Sequence, residues 1–261
     1  VDLHPSPFLR PDQTMLAGNI LDEETVNRAV AGADMVFNYA GIADIGEANN
    51  RPVDTARINV LGNVMVLEAC RKAGVKRYVF ASSLYVYGKS GGFYRCSKQS
   101  CELYIENYQA MHNLPYTILR YGSLYGPRSD RRNAINRFVY EALAKGAITY
   151  YGAPTALREY IHVEDAALST VEILGPEYAN QNIVLTGDQP MQVGDLFRMI
   201  EEGQHREEIV NAGFDSEVVE KIHGMIMRNE KKRYQFPPVL RLSSCTFGHE
   251  RLMPLTNKYG D

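Results

Sequence analysis

The stretch DTARINVLGNVMVLEACRKAGVKRYVFASS, residues 54–83, decides the fold. Its first part carries apolar residues at helical spacing and closes with Lys and Gly, as helices tend to do. Residues 76–83 then read as a buried strand, and DMVFNYAG, residues 34–41, reads as a strand ahead of the helix. A strand, a long helix and a second strand form a crossover unit, which places the two strands parallel in one sheet.

The same alternation continues on both sides of this unit. Helices are predicted over residues 23–33, 94–112, 135–146 and 193–202, and strands over residues 116–122 and 182–187. We therefore predict an α/β fold with a Rossmann-like, doubly wound parallel sheet over residues 1–205, followed by a small, mostly helical tail over residues 206–261. Ligands of such sheets bind at the carboxyl ends of the strands.

The composition excludes several classes of protein. The chain has 261 residues, 45% hydrophobic and 23% charged, with a net charge of -3, which is typical of a globular protein and not of a disordered one. No excess of Lys and Arg indicates nucleic acid, and no apolar run reaches the roughly 20 residues that span a bilayer. The four cysteines have neither metal-binding nor redox spacing, so we expect no metal site and reduced thiols in a cytoplasmic protein.

The stretch KSGGFYRCSK, residues 89–98, has two interpretations. Ser90-Gly91-Gly92 resembles the beginning of a pyrophosphate-binding loop, but the Asp and Ser that complete such a loop do not follow. Tyr94 and Lys98, in contrast, share one face of a predicted helix, where the ammonium favours the phenolate form of the tyrosine. Ser83, at the end of the preceding strand, is placed to bind the reacting hydroxyl.

A second Tyr-x-x-x-Lys pair, Tyr85 and Lys89, lies just upstream. It crosses Gly88 in a strand-to-turn segment, where residues four apart need not face each other. We therefore interpret Tyr85 and Lys89 as a chance pair.

Six segments of the chain follow one another in the order VFNYAG, NVLGNVMVLEAC, FASSLYVYG, YRCSK, YTILRYGSLYGPR and REYIHVEDAA. Together they resemble the NAD-dependent epimerase/dehydratase family, which comprises extended short-chain dehydrogenases that act on nucleotide sugars. The resemblance covers residues 1–202, and the most similar type is UDP-glucose 4-epimerase.

The resemblance implies a role for each matching residue. Tyr94 would be the catalytic base, Lys98 would hold the nicotinamide ribose, and Ser83 would bind the reacting hydroxyl of a nucleotide-sugar substrate. The residues implied to bind NAD are Asp2, Asn19, Ile20, Ala40, Gly41, Asn59, Tyr94, Lys98 and Tyr121. An acid such as Asp2 on the adenosine ribose favours NAD over NADP. Ser83, Ser123 and Arg158 are implied to bind the substrate, and a homodimer is common in the family.

The sequence also departs from the family. No Gly-x-x-Gly-x-x-Gly turn occurs in it, and VDL at residues 1–3 reads as the end of the family's second strand. The first strand, its glycine-rich turn and the following helix are then expected to lie outside this chain. Ser123 replaces an Asn that the family often has, which leaves the substrate open.

The tail resembles a different family. Glu230 to Pro238, Phe247-Gly248 and Met253 to Asn257 resemble the C-terminal end of glutamine-dependent NAD synthetases. Because the pyrophosphatase loop is missing, we predict no synthetase activity. Two hypotheses remain: a nucleotide-sugar epimerase or dehydratase, or a non-catalytic binding or scaffold protein with an added tail. The sugar, and the choice among epimerisation, dehydration and reduction, stay open at this point.

Overall fold

The computed structural model describes residues 1–187 and 189–204 and divides the chain into two compact units. The first comprises Val1–Arg120 and Gly175–Ile183, and the second comprises Tyr121–Leu174 and the described residues from Val184 onward. The part predicted as one domain thus contains two units. The synthetase-like tail lies outside the described residues, and its character stays a prediction.

The elements follow each other in the predicted alternation. The strands are β1 (Met35–Asn38), β2 (Arg77–Ser83), β3 (Tyr116–Tyr121), β4 (Ser123–Tyr125), β5 (Leu157–Arg158), β6 (Tyr160–His162), β7 (Gln181–Leu185) and β8 (Met191–Gln192). The α-helices are α1 (Glu23–Val30), α2 (Ile45–Asn50), α3 (Pro52–Thr55), α4 (Gly62–Ala73), α5 (Gly92–His112), α6 (Ala134–Lys145), α7 (Val163–Glu172) and α8 (Val193–Gln204). A π-helical segment occupies Ala56–Leu61, and 3₁₀ helices occupy Leu84–Tyr87 and Pro176–Tyr178.

The main sheet has the strand order β1-β2-β3-β7 and is a parallel sheet flanked by helices, as predicted. In the β1–β2 pair, Met35 lies opposite Arg77 and Asn38 lies opposite Phe80. Six of the seven residues of β2 are buried, as expected for a parallel strand covered on both faces. β2 and β3 are the two central strands, and β2 continues beyond its pairing with β1, which ends at Phe80, to its carboxyl end at Ser83.

Local signals in the sequence explain where the helices of the first unit begin and end. Asp22 caps α1, because its carboxylate accepts hydrogen bonds from the backbone of Glu24 and from the Thr25 hydroxyl. The helix that ends with α4 stops at Gly74, whose φ of 68° is left-handed. Between these helices and the sheet lies an apolar core that includes Leu67, Phe80 and Ile118.

Among its described residues, the second unit contains two small sheets and three α-helices. β4 pairs with β6 in parallel, and β5 pairs with β8 antiparallel. Its core joins α6 to α8, where the rings of Phe138 and Phe197 meet edge to face at 5.0 Å. Asn133 caps α6 by accepting from the backbone amides of Ile135 and Asn136.

The N-terminal segment differs from the prediction. Asp2 forms an isolated parallel bridge with Ala17 and does not belong to one of the strands. Pro5 and Pro7 follow within five residues, and proline has no N–H to continue a ladder. Within residues 1–187 and 189–204, none of the helices has the length and apolar character that crossing a membrane requires.

Candidate active site

The helix α5, which carries Tyr94 and Lys98, begins at a pair of glycines. Gly91 and Gly92 have φ values of 99° and 51°, a left-handed region that other residues rarely adopt. The Asn49 side chain of α2 accepts a hydrogen bond from the Phe93 amide at 3.0 Å, and a Cβ on Gly92 would lie 2.1 Å from the Asn49 oxygen. The Ser-Gly-Gly stretch is therefore the turn at which α5 begins.

Tyr94 is buried beside the end of β2. It packs with Ile42 and Ala48, and its ring meets that of Tyr85 edge to face at 6.2 Å. Burial raises the pKa of the Tyr94 phenol, and a hydrogen bond with Ser83 opposes that rise. In the protein alone the pKa of Tyr94 is therefore raised, and the lowering expected from the ammonium is not observed.

Lys98 lies one helical turn further on and is also buried. Its ammonium donates to the backbone carbonyl of Ala81 at 2.6 Å and lies 4.6 Å from the centre of the Phe80 ring and 5.7 Å from that of Tyr94. Burial lowers the pKa of Lys98 to about 8, although the charges of Cys101 and Glu102 act in the opposite direction. The structure thus brings Ser83, Tyr94 and Lys98 together at the carboxyl end of β2.

The upstream pair is not arranged in this way. Tyr85 lies in the 3₁₀ helix Leu84–Tyr87, whereas Lys89 lies beyond it in the turn and is exposed. An exposed ammonium is solvated, and water and salt screen its charge. This geometry supports the interpretation of Tyr85 and Lys89 as a chance pair.

Asn59 links the site to the end of β1. Its side-chain amide accepts from the Ile42 amide at 2.7 Å and donates to the Ile42 carbonyl at 3.0 Å and to the Ser97 hydroxyl at 2.9 Å. Ser97 in turn donates to the Tyr94 carbonyl at 2.8 Å. Both amide hydrogens of Asn59 are therefore used inside the protein, where they orient the loop at Gly41 and the helix at Tyr94.

The π-helical segment explains how Asn59 reaches both partners. Asn59 lies within Ala56–Leu61, and π-helical turns inside α-helices frequently mark functional sites. Gly41 packs so closely on Asn59 that a Cβ there would lie 2.9 Å from its side-chain oxygen. Only glycine therefore fits at this approach without displacing the amide.

Replacing Asn59 by Leu is expected to lower the free energy of unfolding by about 2–3 kcal/mol, because the buried amide and carbonyl of Ile42 lose their partners. Asn107→Leu is the control, since Asn107 bonds only its own helix at an exposed position and should change stability by less than about 0.5 kcal/mol. Urea unfolding measures both. Equal stabilities of the two variants would contradict the role of Asn59.

Lys98→Met is expected to show the cost of a buried ammonium. The folded protein binds this proton less tightly than the unfolded chain, so the penalty is full below pH 8 and fades as the pH rises toward the unfolded value near 10.5. The stability of wild type relative to Lys98→Met should therefore rise by about 2 kcal/mol between pH 7.5 and 10. Urea titrations across this range, with exposed Lys89→Met as a pH-independent control, decide the matter.

The other residues implied to bind NAD lie at several places in the first unit. Asp2 is exposed and accepts from the His4 amide at 3.3 Å, and Asn19 accepts from the Leu21 amide at 2.9 Å. Ile20 packs on the core and touches Gly62 of α4. The Ala40 amide donates to the Asn38 side chain at 3.1 Å at the end of β1.

Three predicted residues belong to the second unit. Tyr121 is buried, and its hydroxyl bonds that of Thr170 at 2.7 Å. The Ser123 amide donates to the Glu159 carbonyl at 2.6 Å, and the Arg158 guanidinium donates to the Leu157 carbonyl at 2.9 Å. Burial raises the pKa of the neighbouring Glu159 carboxyl.

Sequence reasoning missed two features of the site. Ser97 lies three residues after Tyr94, a spacing that predicts contact with the backbone of the preceding helical turn. Glu102 lies four residues after Lys98 and forms a buried ion pair with Arg120, which a charge on the inner face of α5 would have signalled. Within the part of the chain that the structure describes, no cluster of His, Cys, Asp or Glu is suited to a metal ion.

A comparison with protein families matches residues 3–183 to the NAD-dependent epimerase/dehydratase family. Among curated proteins, the low-salt glycan biosynthesis protein Agl12 of Haloferax volcanii is 30% identical over 62% of this chain and 57% of its own length. The dTDP-glucose 4,6-dehydratase of Streptomyces antibioticus is 29% identical over 60% of this chain and 51% of its own length. The chain therefore spans less than two thirds of either relative.

Solved structures show the same fold. UDP-glucose 4-epimerase of Thermotoga maritima, with UDP-glucose, is 24% identical at a TM-score of 0.70 and covers 76% of this chain and 71% of its own. The enzyme of the same name from Thermus thermophilus, in complex with NAD, is 25% identical at a TM-score of 0.64 and covers 71% and 67%.

Proposed function

The chain belongs to the NAD-dependent epimerase/dehydratase family, and we propose that it oxidises and reduces a nucleotide sugar with NAD at Ser83, Tyr94 and Lys98. The observation that carries the proposal is the burial of these three side chains together at the carboxyl end of β2, with 8%, 9% and 7% of each residue exposed. A phenol and an amine that are buried side by side contribute little to stability, because burial disfavours the charged form of each. Such pairs concentrate at catalytic sites.

The residues at this end of the sheet fit NAD. The Lys98 ammonium has three hydrogens, and Ala81 is its one hydrogen-bond acceptor among the described residues, which leaves donors for a ribose hydroxyl. Ala40 and Gly41, at the end of β1, are exposed and present almost no side chain, so a ligand can approach the backbone closely. Asp2, Asn19 and Ile20 of the first unit are proposed to bind the cofactor, and Tyr121 of the second unit is proposed as a further cofactor-binding residue.

The roles of the protein residues follow from their chemistry. Ser83 hydrogen-bonds the reacting hydroxyl of the sugar and directs it to Tyr94. Tyr94 acts as its phenolate, which forms when the phenol proton leaves to solvent and which the positive charge of Lys98 stabilises; this phenolate takes the hydroxyl proton of the sugar. When bound, NAD supplies the acceptor and donor of hydride. Arg158 is proposed to bind the diphosphate of the substrate and Ser123 its nucleotide end, because a guanidinium suits phosphate oxygens.

The substrate class comes from the names of the relatives. They include a dTDP-glucose 4,6-dehydratase and a putative UDP-glucose 4-epimerase, which is 28% identical. We propose a nucleoside-diphosphate sugar as the substrate of this chain, with epimerisation and dehydration as the two reactions to be distinguished.

The test uses the full chain with NAD and either UDP-glucose or dTDP-glucose. Proton NMR of the mixture separates the two reactions, because a 4-epimer shifts the anomeric doublet whereas 4,6-dehydration creates a new methyl signal. Calorimetry with NAD alone runs in parallel. Absence of both NAD binding and turnover would reject the proposal and favour a non-catalytic binding protein.

A second copy of this chain is the proposed partner. Helix α5 exposes Leu103, Tyr104 and Met111, with exposures of 61%, 47% and 73%. Large apolar side chains so exposed on one helix are suited to a protein contact. Light scattering of the full chain should give a dimer mass, and a monomer mass at micromolar concentration would contradict this assignment.

The thiols support the proposed cytoplasmic location. Cys70, Cys96 and Cys101 are free cysteines, and Cys96 is exposed. Free thiols, one of them at the surface, suit a reducing compartment. Fractionation of cells that produce the chain checks this proposal.

A further inference from the structure

A buried ion pair lies one turn beyond Lys98 on α5. The Arg120 guanidinium donates to both carboxylate oxygens of Glu102, at 3.1 Å through Nε and 2.7 Å through Nη2. Each of the two side chains is 8% exposed. The Ser82 hydroxyl also donates to Glu102, at 2.5 Å. The carboxylate is thus held by three hydrogen bonds from the two central strands of the sheet.

Arg120 extends beyond this pair to the segment after Ser83. Its Nη1 donates to the Tyr87 hydroxyl at 2.6 Å, and its guanidinium carbon lies 4.8 Å from the centre of the Tyr87 ring. Tyr87 is the last residue of the 3₁₀ helix Leu84–Tyr87, which follows Ser83 directly. Arg120 therefore connects β3 to the short helix at the exit of β2.

Helix α5 holds the same segment at two more points. Gln99 donates to the Val86 carbonyl at 2.9 Å, and Arg95 donates to the Gly88 carbonyl at 2.7 Å. The Tyr85 amide donates to the Ser83 hydroxyl at 3.4 Å. The position of the Ser83 oxygen thus depends on where the short helix is fixed.

We infer that Arg120, oriented by Glu102, is a positioning residue that fixes the helix Leu84–Tyr87 and thereby aims the Ser83 hydroxyl at Tyr94. A buried ion pair contributes little net stability compared with apolar residues of similar size, so stability alone does not explain it. A guanidinium that binds a carboxylate through two of its nitrogens holds its third nitrogen in a fixed direction. In Arg120 this third nitrogen, Nη1, donates to the Tyr87 hydroxyl. The inference rests on the proposed function, because Ser83 has a role in that reaction.

The test removes one hydroxyl, in Tyr87→Phe, and leaves the ion pair in place. With UDP-glucose or dTDP-glucose, kcat should fall about tenfold while KM stays within about twofold, because a small misplacement of Ser83 affects the reaction more than binding. Tyr151→Phe, at an exposed tyrosine outside the proposed active site and the proposed dimer contact, is the matched control and should keep the wild-type kcat. An unchanged kcat in Tyr87→Phe would overturn the inference.

Arg120→Lys tests whether the two residues act as one unit. Lysine keeps the charge beside Glu102 but cannot bond in a fork and reach Tyr87 as well. If Arg120 acts through Tyr87, the double variant Arg120→Lys/Tyr87→Phe should lose no more kcat than Arg120→Lys alone. Multiplication of the two losses in the double variant would contradict the inference.

A readout that does not need turnover separates the two proposals. The Gly88 amide bonds the Tyr85 carbonyl at 3.2 Å and should exchange its hydrogen slowly in wild type. Tyr87→Phe should speed that exchange about tenfold without affecting the amides in the middle of α5. If wild type turns over neither sugar, the proposed function fails, and unchanged Gly88 exchange in Tyr87→Phe would then reject the positioning role as well.

Discussion

Replacing Tyr94 by Phe is expected to lower kcat for the nucleotide sugar by about a thousandfold, because general acid–base catalysis by one side chain contributes on this order. The phenyl ring keeps the packing against Ile42 and Ala48 and the edge-to-face contact with Tyr85. One hydroxyl and its bond with Ser83 are lost, so the variant should fold and still bind NAD. Steady-state kinetics and calorimetry with NAD on the same preparation measure both quantities.

Tyr85→Phe is the matched control for Tyr94→Phe. It removes a phenol hydroxyl from the ring adjacent to Tyr94. Tyr85 belongs to the second Tyr-x-x-x-Lys pair of the sequence, Tyr85 and Lys89. Its kcat should stay within about threefold of wild type, since Tyr85 has no proposed part in proton transfer. Full activity of Tyr94→Phe together with loss of activity in Tyr85→Phe would show that the wrong pair had been chosen.

Burial acts on both members of the proposed catalytic pair. It raises the pKa of Tyr94 and lowers that of Lys98 to about 8, so it shifts both residues toward their neutral forms, while at pH 7 the ammonium of Lys98 stays mostly protonated. In a site that excludes water, the phenolate of Tyr94 and the ammonium of Lys98 stabilise each other. We therefore expect a ligand that binds beside Tyr94 and Lys98 to change the pKa values of both residues.

The order of strands and helices could be predicted from the sequence because each element carries its own period and its own end signals. The strand at residues 77–83 and the helix that ends at Gly74 are examples. The same holds for Ser83, Tyr94 and Lys98, which lie on one strand end and the next helix. Their proximity follows from local geometry alone.

Features that depend on distant partners could not be predicted. One long helix is predicted over residues 54–74, but in the structure this stretch contains the π-helical segment Ala56–Leu61, whose Asn59 bonds residues 17 and 38 positions away. The two-residue strands β5 and β8 are too short to show a period. Arg120 and Glu102 are 18 residues apart, so a charge on the inner face of α5 indicates a buried partner but not that Arg120 is that partner.

That pair allows a sharp test of how the centre of the sheet is stabilised. Arg120→Met should lower the free energy of unfolding by about 3–5 kcal/mol, since it leaves the Glu102 carboxylate buried without its main partner. Glu102→Met should cost about as much, because it leaves the buried guanidinium without its carboxylate partner.

The double variant decides between two explanations of these losses. If the cost comes from an unpaired buried charge, the variant with Met at both positions should lie within about 1 kcal/mol of wild type, because two apolar side chains of similar size replace the pair. If instead each residue stabilises the fold independently, the two losses should add. Urea unfolding of the four proteins in one buffer gives the coupling energy directly. A stable double variant that has also lost kcat would then separate the two roles, because it would show that the fold does not need the ion pair whereas the alignment of Ser83 does.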